Sequence, residues 1–145
     1  MLRKVKENDM EFLLSLANES EVRKNSMNQD VIDIETHKKW FLKKLTEIKN
    51  STSKMYIYEK NKQKIGQIRL DKKGIFFNID ISVIKINRGQ GIAKAMLLEL
   101  LKTVNNINIL AYVKNSNEAS KSLFLSSGFK KVKECKDISF YKVKV

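Results

Sequence analysis

The sequence predicts a mixed α/β domain built around one sheet. Three observations support this. The chain has 145 residues, 42% of them hydrophobic, which is enough to bury a core. Segments with helical periodicity come first, and short alternating segments follow them. The second half then reads strand, helix, strand, helix, strand, strand. With no proline, repeat or linker, residues 1–145 are expected to form a single domain.

The first half opens with a short strand followed by helices. Asn8, with Glu11 three residues later, has the shape of a capping box and predicts the start of the first helix. The second helix carries an apolar stripe made of Trp40, Phe41, Leu45 and Ile48. The expected elements are, in order, a strand over 2–5, a helix from Met10, a helical turn over 21–25, a loop over 26–33 and a helix over 35–48.

The second half alternates strands and helices. Strands are indicated by alternating or β-branched runs, and Gly128 marks the end of the last helix. The expected elements are strands over 55–58 and 65–70 joined around 61–63, a turn over 71–74, a strand over 75–84, a helix from Ile92 to about Asn105, a strand over 107–113, a helix over 118–127, and strands over 129–134 and 138–145.

The net charge of +13, from 29 basic and 16 acidic residues, allows several interpretations. Solvated lysine accounts for part of it, and a positive field would also attract anionic ligands. A nucleic-acid partner is disfavoured because no recognised binding motif is present. Cys135 is the single cysteine, so neither an internal disulfide nor a metal cluster of cysteines is expected. No apolar run reaches the roughly 18–20 residues of a membrane span, and no signal peptide is evident, so a cytoplasmic protein without membrane contact is expected.

The segment 79–101 predicts an anion-binding turn. Ile79, Ile81 and Val83 alternate with Asp80 and Ser82 along a strand, and a glycine-containing turn leads directly into a helix. The free N–H groups and the dipole at a helix N-terminus favour an anion there. Glycine at 89 and 91 permits close approach, and Arg88 can add a charge-assisted contact. The alternative is that the turn serves packing alone. Neither common nucleotide-binding glycine motif is matched.

Two motifs resemble those of the GNAT acyl-CoA acyltransferases. Arg88-Gly89-Gln90-Gly91-Ile92-Ala93 resembles the family's R/Q-x-x-G-x-G/A turn, and the segment 117–129 resembles N-x-x-A/S-x-x-L-Y/F-x-x-x-G-F. The resemblance implies acetyl-CoA as acyl donor and a mostly antiparallel sheet with one splayed parallel pair and helices on both faces. It implies that the donor is bound by Ile81, Val83, Arg88, Gly89, Gln90, Gly91, Ile92, Ala93, Asn117, Ser120 and Phe124.

The implied reaction is acetyl transfer to an amine, with the oxyanion stabilised by backbone N–H groups near 81–83. The amine must lose a proton, which calls for a base. Asp80 is the first candidate, unless it is only a lysine-paired surface carboxylate. His37, the only histidine, either serves the acceptor side or packs beside Trp40.

The chain departs from the family at two positions. Phe124 replaces a tyrosine that acts as general acid in many members. Tyr112 stands where the ribosomal-protein alanine acetyltransferases have a glutamate. A thiol with a pKa near 8.5 can leave as thiolate with little help, and Tyr112 or a water could supply its proton.

A weaker resemblance concerns the acceptor. Residues 16–26, the Glu35-x-His37-x-x-Trp40-Phe41 stretch and 66–69 are similar to GNAT enzymes that acetylate nucleotide-linked amino sugars, those of the pseudaminic acid type included. This implies a sugar-nucleotide acceptor, with Arg23 and Arg69 either on its phosphates or in internal ion pairs. Peptide or protein amines and a non-catalytic acyl-CoA sensor are the alternatives, and a polyamine is disfavoured by the positive charge. A monomer and a homodimer both remain open.

Overall fold

A computed structural model describes residues 1–145. Its elements in chain order are β1 (Leu2–Lys4), α1 (Met10–Ala17), α2 (Ser20–Lys24), α3 (Ile34–Lys49), β2 (Ser53–Lys60), β3 (Gln63–Lys73), β4 (Phe76–Val83), α4 (Ile92–Leu101), β5 (Asn108–Lys114), α5 (Glu118–Ser126), β6 (Lys130–Glu134) and β7 (Ile138–Lys144). The strands form a seven-stranded sheet in the order β1-β2-β3-β4-β5-β7-β6, and the predicted mixed α/β architecture is confirmed.

The sheet splays between its only parallel pair. β4 pairs with β5 from Phe76 to Asn78 and no further, whereas β4 pairs with β3 as far as Val83. The remaining strand pairs are antiparallel. The backbone of β4 beyond Asn78 therefore loses its partner on one side, and a gap opens between β4 and β5.

Apolar side chains cover both faces of the sheet. On one face the core includes Met96, Leu97 and Leu100 of α4, packed with Ile68 and Leu70 of β3. On the other face Leu13 of α1 and Phe41 of α3 pack against Met55 and Ile57 of β2. Because side chains alternate along a strand, Ile79, Ile81 and Val83 share the α4 face while Asp80 and Ser82 lie on the α1 and α3 face.

The predicted capping box at Asn8 is wrong. Helix α1 begins at Met10 after a short 3₁₀ turn, and no side chain caps it. The neighbouring Asp9 carboxylate is fully buried and accepts from the Lys6 N–H, with Arg3 and Lys64 at 2.8 Å. Cations from two strands, Arg3 of β1 and Lys64 of β3, hold this carboxylate, and helical periodicity does not reveal them.

Two predicted boundaries also shift. The turn predicted over 71–74 is confined to Gly74 and Ile75, because β3 continues to Lys73 and Asp71 pairs with Asn78 across the sheet. Lys44 of α3 lies 2.7 Å from the Asp71 carboxylate and holds it within the strand. Helix α4 ends at Leu101, four residues before the predicted Asn105. None of the helices combines the length and the apolar character that a membrane span requires.

Candidate active site

Two clefts meet beside the splayed part of β4. The first, of about 440 Å³, lies in the gap between β4 and β5 and extends to the N-terminal ends of α4 and α5. Among the predicted site residues, its lining includes Asp80, Ile81, Val83, Arg88, Gly89, Gly91, Ile92, Ala93, Tyr112, Asn117, Ser120 and Phe124. The fold thus brings together residues from the two sequence motifs, which are separated by a strand.

The glycine turn leaves open space before α4. Gly89 and Gly91 have φ values of +75° and +77°, which L side chains rarely adopt, and a Cβ built on either meets nothing within 4 Å. Gly91 is the N-cap of α4. The turn therefore leaves open space beside the end of the helix, whose first N–H groups have no intrahelical partners.

The Arg88 side chain faces an internal partner. Its Nε donates to the Val83 carbonyl at 2.9 Å, and its Nη2 lies 3.3 Å from a carboxylate oxygen of Glu19. The same Glu19 oxygen accepts from the Lys85 N–H at 2.9 Å. Gln90 lies outside the cleft lining and donates to the Ile86 carbonyl. Glu19, at the start of the α2 segment, gave no signal in the sequence.

The α5 end of the first cleft is organised by Asn117. Its Oδ1 accepts from the Ser120 N–H at 3.2 Å and its Nδ2 donates to the Ser120 hydroxyl at 3.0 Å, so Asn117 caps α5. Phe124 is buried against Phe129, with ring centroids 4.9 Å apart. Tyr112 is half-exposed at the rim and makes an edge contact with the ring of Phe140.

The second cleft, of about 320 Å³, lies on the α1 and α3 face of the sheet. Aromatic, polar and apolar side chains share its lining, which includes Leu13, Ile32, His37, Trp40, Met55, Gln67 and Arg69. Val22, Ser26, Asp80 and Ser82 line both clefts. The two cavities therefore adjoin at Asp80, the first candidate for the catalytic base.

Asp80 is held from one side and open on the other. Gln67 Nε2 donates to its Oδ2 at 2.6 Å, and Arg69 Nη1 lies 3.9 Å from the same oxygen. The Asp80 side chain is 53% exposed, and its Oδ1 makes no hydrogen bond within the chain. One carboxylate oxygen is thus free to accept a proton from a ligand.

His37 is buried in the second cleft rather than placed beside the gap in the sheet. Its Nε2 lies 3.0 Å from the Met10 carbonyl, which can only accept, so Nε2 carries the proton. Its ring stacks near Trp40 and Phe41. Burial lowers the pKa of His37, and the bond to Met10 offsets this only in part, so the ring is neutral at pH 7.

The two arginines proposed for acceptor phosphates have internal partners. The Arg23 guanidinium donates to the carbonyls of Ala17, Asn28 and Asp30 and to the Ser26 hydroxyl, which fixes the loop after α2. Arg69 donates through Nε to Asp71 at 2.7 Å and lies over the Trp40 ring at 5.1 Å. Burial lowers the pKa of Arg69, but Asp80 and Asp71 raise it by more, so it remains charged.

Comparison with known proteins identifies the family. A family model described as the acetyltransferase (GNAT) domain matches residues 1–130. The chain belongs to this family and is an acetyl-CoA-dependent acetyltransferase. A search of curated protein sequences found no match. No group of three or more His, Cys, Asp and Glu side chains is placed to hold a metal ion.

Solved structures share the fold. A spermidine N-acetyltransferase from Vibrio cholerae, solved with CoA and spermine, matches with a TM-score of 0.86 at 16% identity over 99% of this chain and 94% of its own. A ribosomal-protein-alanine N-acetyltransferase from Brucella melitensis matches with a TM-score of 0.80 at 20% identity over 100% and 99%. An N-acetyltransferase from Staphylococcus aureus matches with a TM-score of 0.78 at 22% identity over 99% and 97%.

Proposed function

We propose that the first cleft holds acetyl-CoA and the second holds a small acceptor with a primary amine, which in this chain is a nucleotide-linked amino sugar. The observation that carries the proposal is the position of Asp80. It lines both clefts, at the place where β4 has lost its β5 partner. An acyl donor and an amine can meet only where the two cavities adjoin.

The residues of the first cleft suit a phosphate-bearing thioester. The turn at Gly89 and Gly91 and the N-terminus of α4 offer N–H groups to a pyrophosphate, while Arg88 and Lys94 add positive charge to the lining. The backbone of β4 near Ile81–Val83 is proposed to stabilise the oxyanion that forms on the thioester carbonyl. Asn117 and Ser120 line the other end of the cleft.

The proton transfers are assigned to Asp80 and Tyr112. Asp80 takes a proton from the ammonium group through its free Oδ1, directly or through a water, and passes it to solvent. The neutral amine then attacks the thioester carbon, and Asp80 takes a second proton from the now cationic nitrogen, which leaves one N–H on the amide. The C–S bond breaks and the sulfur leaves as thiolate. Phe124 has no hydroxyl to donate, so Tyr112, at the cleft rim, is the side chain proposed to return a proton to the sulfur.

The second cleft supports a sugar acceptor more than a polyamine. Its lining contains one carboxylate, Asp80, together with two arginines, whereas a polyamine carries several positive charges. Trp40 gives the lining an aromatic side chain, with Arg69 5.1 Å over its ring, and Arg69 Nη2 makes no hydrogen bond within the chain. The resemblance of residues 16–26 and 35–41 to amino-sugar acetyltransferases points the same way.

The test combines calorimetry with a thiol-release assay. Titration with acetyl-CoA should show one saturable site in the wild type and none in Gly91→Glu, whose side chain would fill the cradle. Thiol release is then measured with UDP-glucosamine, spermidine and an alanine-initiated peptide as acceptors. Preference for UDP-glucosamine supports the proposed acceptor. Turnover of the peptide or spermidine alone overturns the sugar acceptor but leaves acetyl transfer intact.

A further inference from the structure

Gln67 is an unusual residue for the floor of a cleft. It lies on β3 opposite Ser82, is only 5% exposed, and lines the second cleft beside Asp80. The neighbouring lining includes Leu13, Leu16 and Met55, against which an apolar side chain at position 67 would pack without cost. The presence of an amide side chain at position 67 therefore calls for an explanation.

The orientation of this amide is fixed by chemistry. Its nitrogen lies 2.6 Å from Asp80 Oδ2 and 3.4 Å from the Ser82 hydroxyl. An ionised carboxylate can only accept hydrogen bonds, so the reverse orientation would place two acceptor oxygens against each other. Nε2 therefore faces Asp80, and Oε1 is the atom left for another partner.

Gln67 Oε1 has no hydrogen-bond partner within the chain and is buried. Buried polar side-chain atoms almost always have a partner, and an exception calls for an explanation. Here the explanation lies in the cleft that the side chain lines. A donor group on a molecule bound beside Asp80 would complete the hydrogen bonds of the amide.

We propose that Gln67 positions the acceptor amine. Its Nε2 holds Asp80 in place, and its Oε1 accepts one N–H of the amine, while the free Asp80 Oδ1 accepts a second. The ammonium first loses one proton through Asp80 to solvent, and the neutral amine then donates one N–H to Gln67 Oε1 and the other to Asp80 Oδ1. After attack the proton facing Asp80 is transferred to the carboxylate, and the N–H on Gln67 remains in the amide product. A neutral amine that makes both hydrogen bonds must be primary, so the site selects primary over N-methylated acceptors. The inference rests on the proposed function.

The test compares Gln67→Met with the wild type. Methionine has a similar shape and no amide. With the acceptor that the wild type uses best among UDP-glucosamine, spermidine and the peptide, we expect the acceptor KM to rise about tenfold and kcat to fall about tenfold. The KM for acetyl-CoA should not change. Unfolding in urea should show stability equal to or above that of the wild type, because the unpaired oxygen has been removed.

Each outcome is decisive. Acceptor KM and kcat within about twofold of the wild type would show that the amide has no role in positioning. A loss of activity accompanied by an equal loss of stability would show a structural role instead, and would also overturn the inference. If the wild type itself acetylates none of the three acceptors, the proposed function fails first and this inference fails with it. In the wild type, N-methylation of the acceptor should reproduce the effect of Gln67→Met on kcat/KM.

Discussion

At the scale of single residues, Asp80 allows the proposed chemical role of the site to be tested separately from its structural contacts. Its side chain is half-exposed and contacts Gln67 and Arg69 through one oxygen only. Asp80→Asn keeps the shape and can still accept from Gln67, but it cannot take a proton. We expect kcat to fall about 10²–10³-fold with little change in the Kd of acetyl-CoA.

Asp33→Asn is the matched control for this prediction, because Asp33 is an aspartate that caps α3 away from both clefts. Steady-state kinetics and calorimetry measure the two effects. An Asp80→Asn enzyme with wild-type kcat would assign the base to another group or to solvent.

His37 makes stability depend on pH in a defined direction. Burial lowers its pKa in the folded state, so the folded protein favours the neutral ring. The corresponding stability is fully present above the unfolded pKa of about 6.5 and is lost as pH falls below that value toward the folded pKa. Urea unfolding should therefore give a lower free energy of unfolding at pH 5.5 than at pH 7.5.

The variant His37→Gln tests this assignment. A glutamine amide can still donate to the Met10 carbonyl but does not titrate. Since the chain has one histidine, the decrease in stability between pH 7.5 and 5.5 should shrink in the variant. An unchanged decrease would place the titrating group elsewhere.

At the scale of elements, the sequence was informative where structure is local. The strand-turn-helix from β4 to α4 and the glycine-terminated α5 were predicted because periodicity and positive-φ glycines act within a few residues. The buried Asp9 and the placement of Asp71 inside β3 were missed. Both depend on cations from other elements: Arg3 of β1 and Lys64 of β3 contact Asp9, and Lys44 of α3 contacts Asp71. Glu19, the partner of Arg88, was missed for the same reason. The Arg23 partners lie close to it in sequence, but most of them are backbone carbonyls, which have no residue pattern to recognise.

Gly66 is an element-scale requirement of the β3–β4–α4 contact. A Cβ built on it would lie 2.5 Å from the Ser82 carbonyl oxygen and 3.2 Å from Met96. A backbone oxygen within a sheet cannot move aside without shifting β4. We expect Gly66→Ala to destabilise the fold by about 1–3 kcal/mol in urea unfolding.

Gly89→Ala is a useful comparison for Gly66→Ala because its Cβ would meet no atom within 4 Å, although its φ of +75° carries a strain of its own. Strain of about 1 kcal/mol is expected there. The Gly66 variant should also lower kcat, because Ser82 and Asp80 lie on β4. Equal stability of Gly66→Ala and the wild type would mean that β4 can shift away from an alanine Cβ at little cost in free energy, although that Cβ would lie 2.5 Å from the Ser82 carbonyl oxygen.

The contact between Glu19 and Arg88 links α2 to the glycine turn. Glu19 precedes α2, which contributes Val22 to both clefts, and under the proposed donor site it would compete with a phosphate for the Arg88 guanidinium. In Glu19→Gln the amide oxygen can still accept from the Lys85 N–H, but the negative charge is gone. We expect the Kd of acetyl-CoA to fall about two- to fivefold, the range of a partly exposed ion pair.

Calorimetry in an Arg88→Met background provides the control for Glu19→Gln. In that background Glu19→Gln should change the Kd of acetyl-CoA very little, because the substitution acts through the Arg88 guanidinium. Weaker binding in the single variant would indicate that Glu19 orients Arg88 toward the ligand instead of competing with it.

At the scale of the whole molecule, the distribution of charge matters more than its total. The exposed edge strand β6 carries Lys130, Lys131 and Lys133 and has an irregular register with β7. Positive charge and a bulge on an edge strand oppose pairing with a second copy. The lysine excess therefore has a structural use at the sheet edge, which is separate from any effect on ligands.

The last prediction concerns the electrostatic field of the chain. A net charge of +13 should attract polyanionic acetyl-CoA to the cleft containing Arg88 and Lys94, and added salt screens such attraction. Raising the salt concentration from about 20 to about 200 mM should lower kcat/KM for acetyl-CoA several-fold through KM, with kcat nearly constant. S-acetylpantetheine, which has no phosphate, is the control and should show almost no salt effect. An equal response for both thioesters would show that salt acts on the acceptor or on the fold, and that the positive charge of this chain does not serve donor binding.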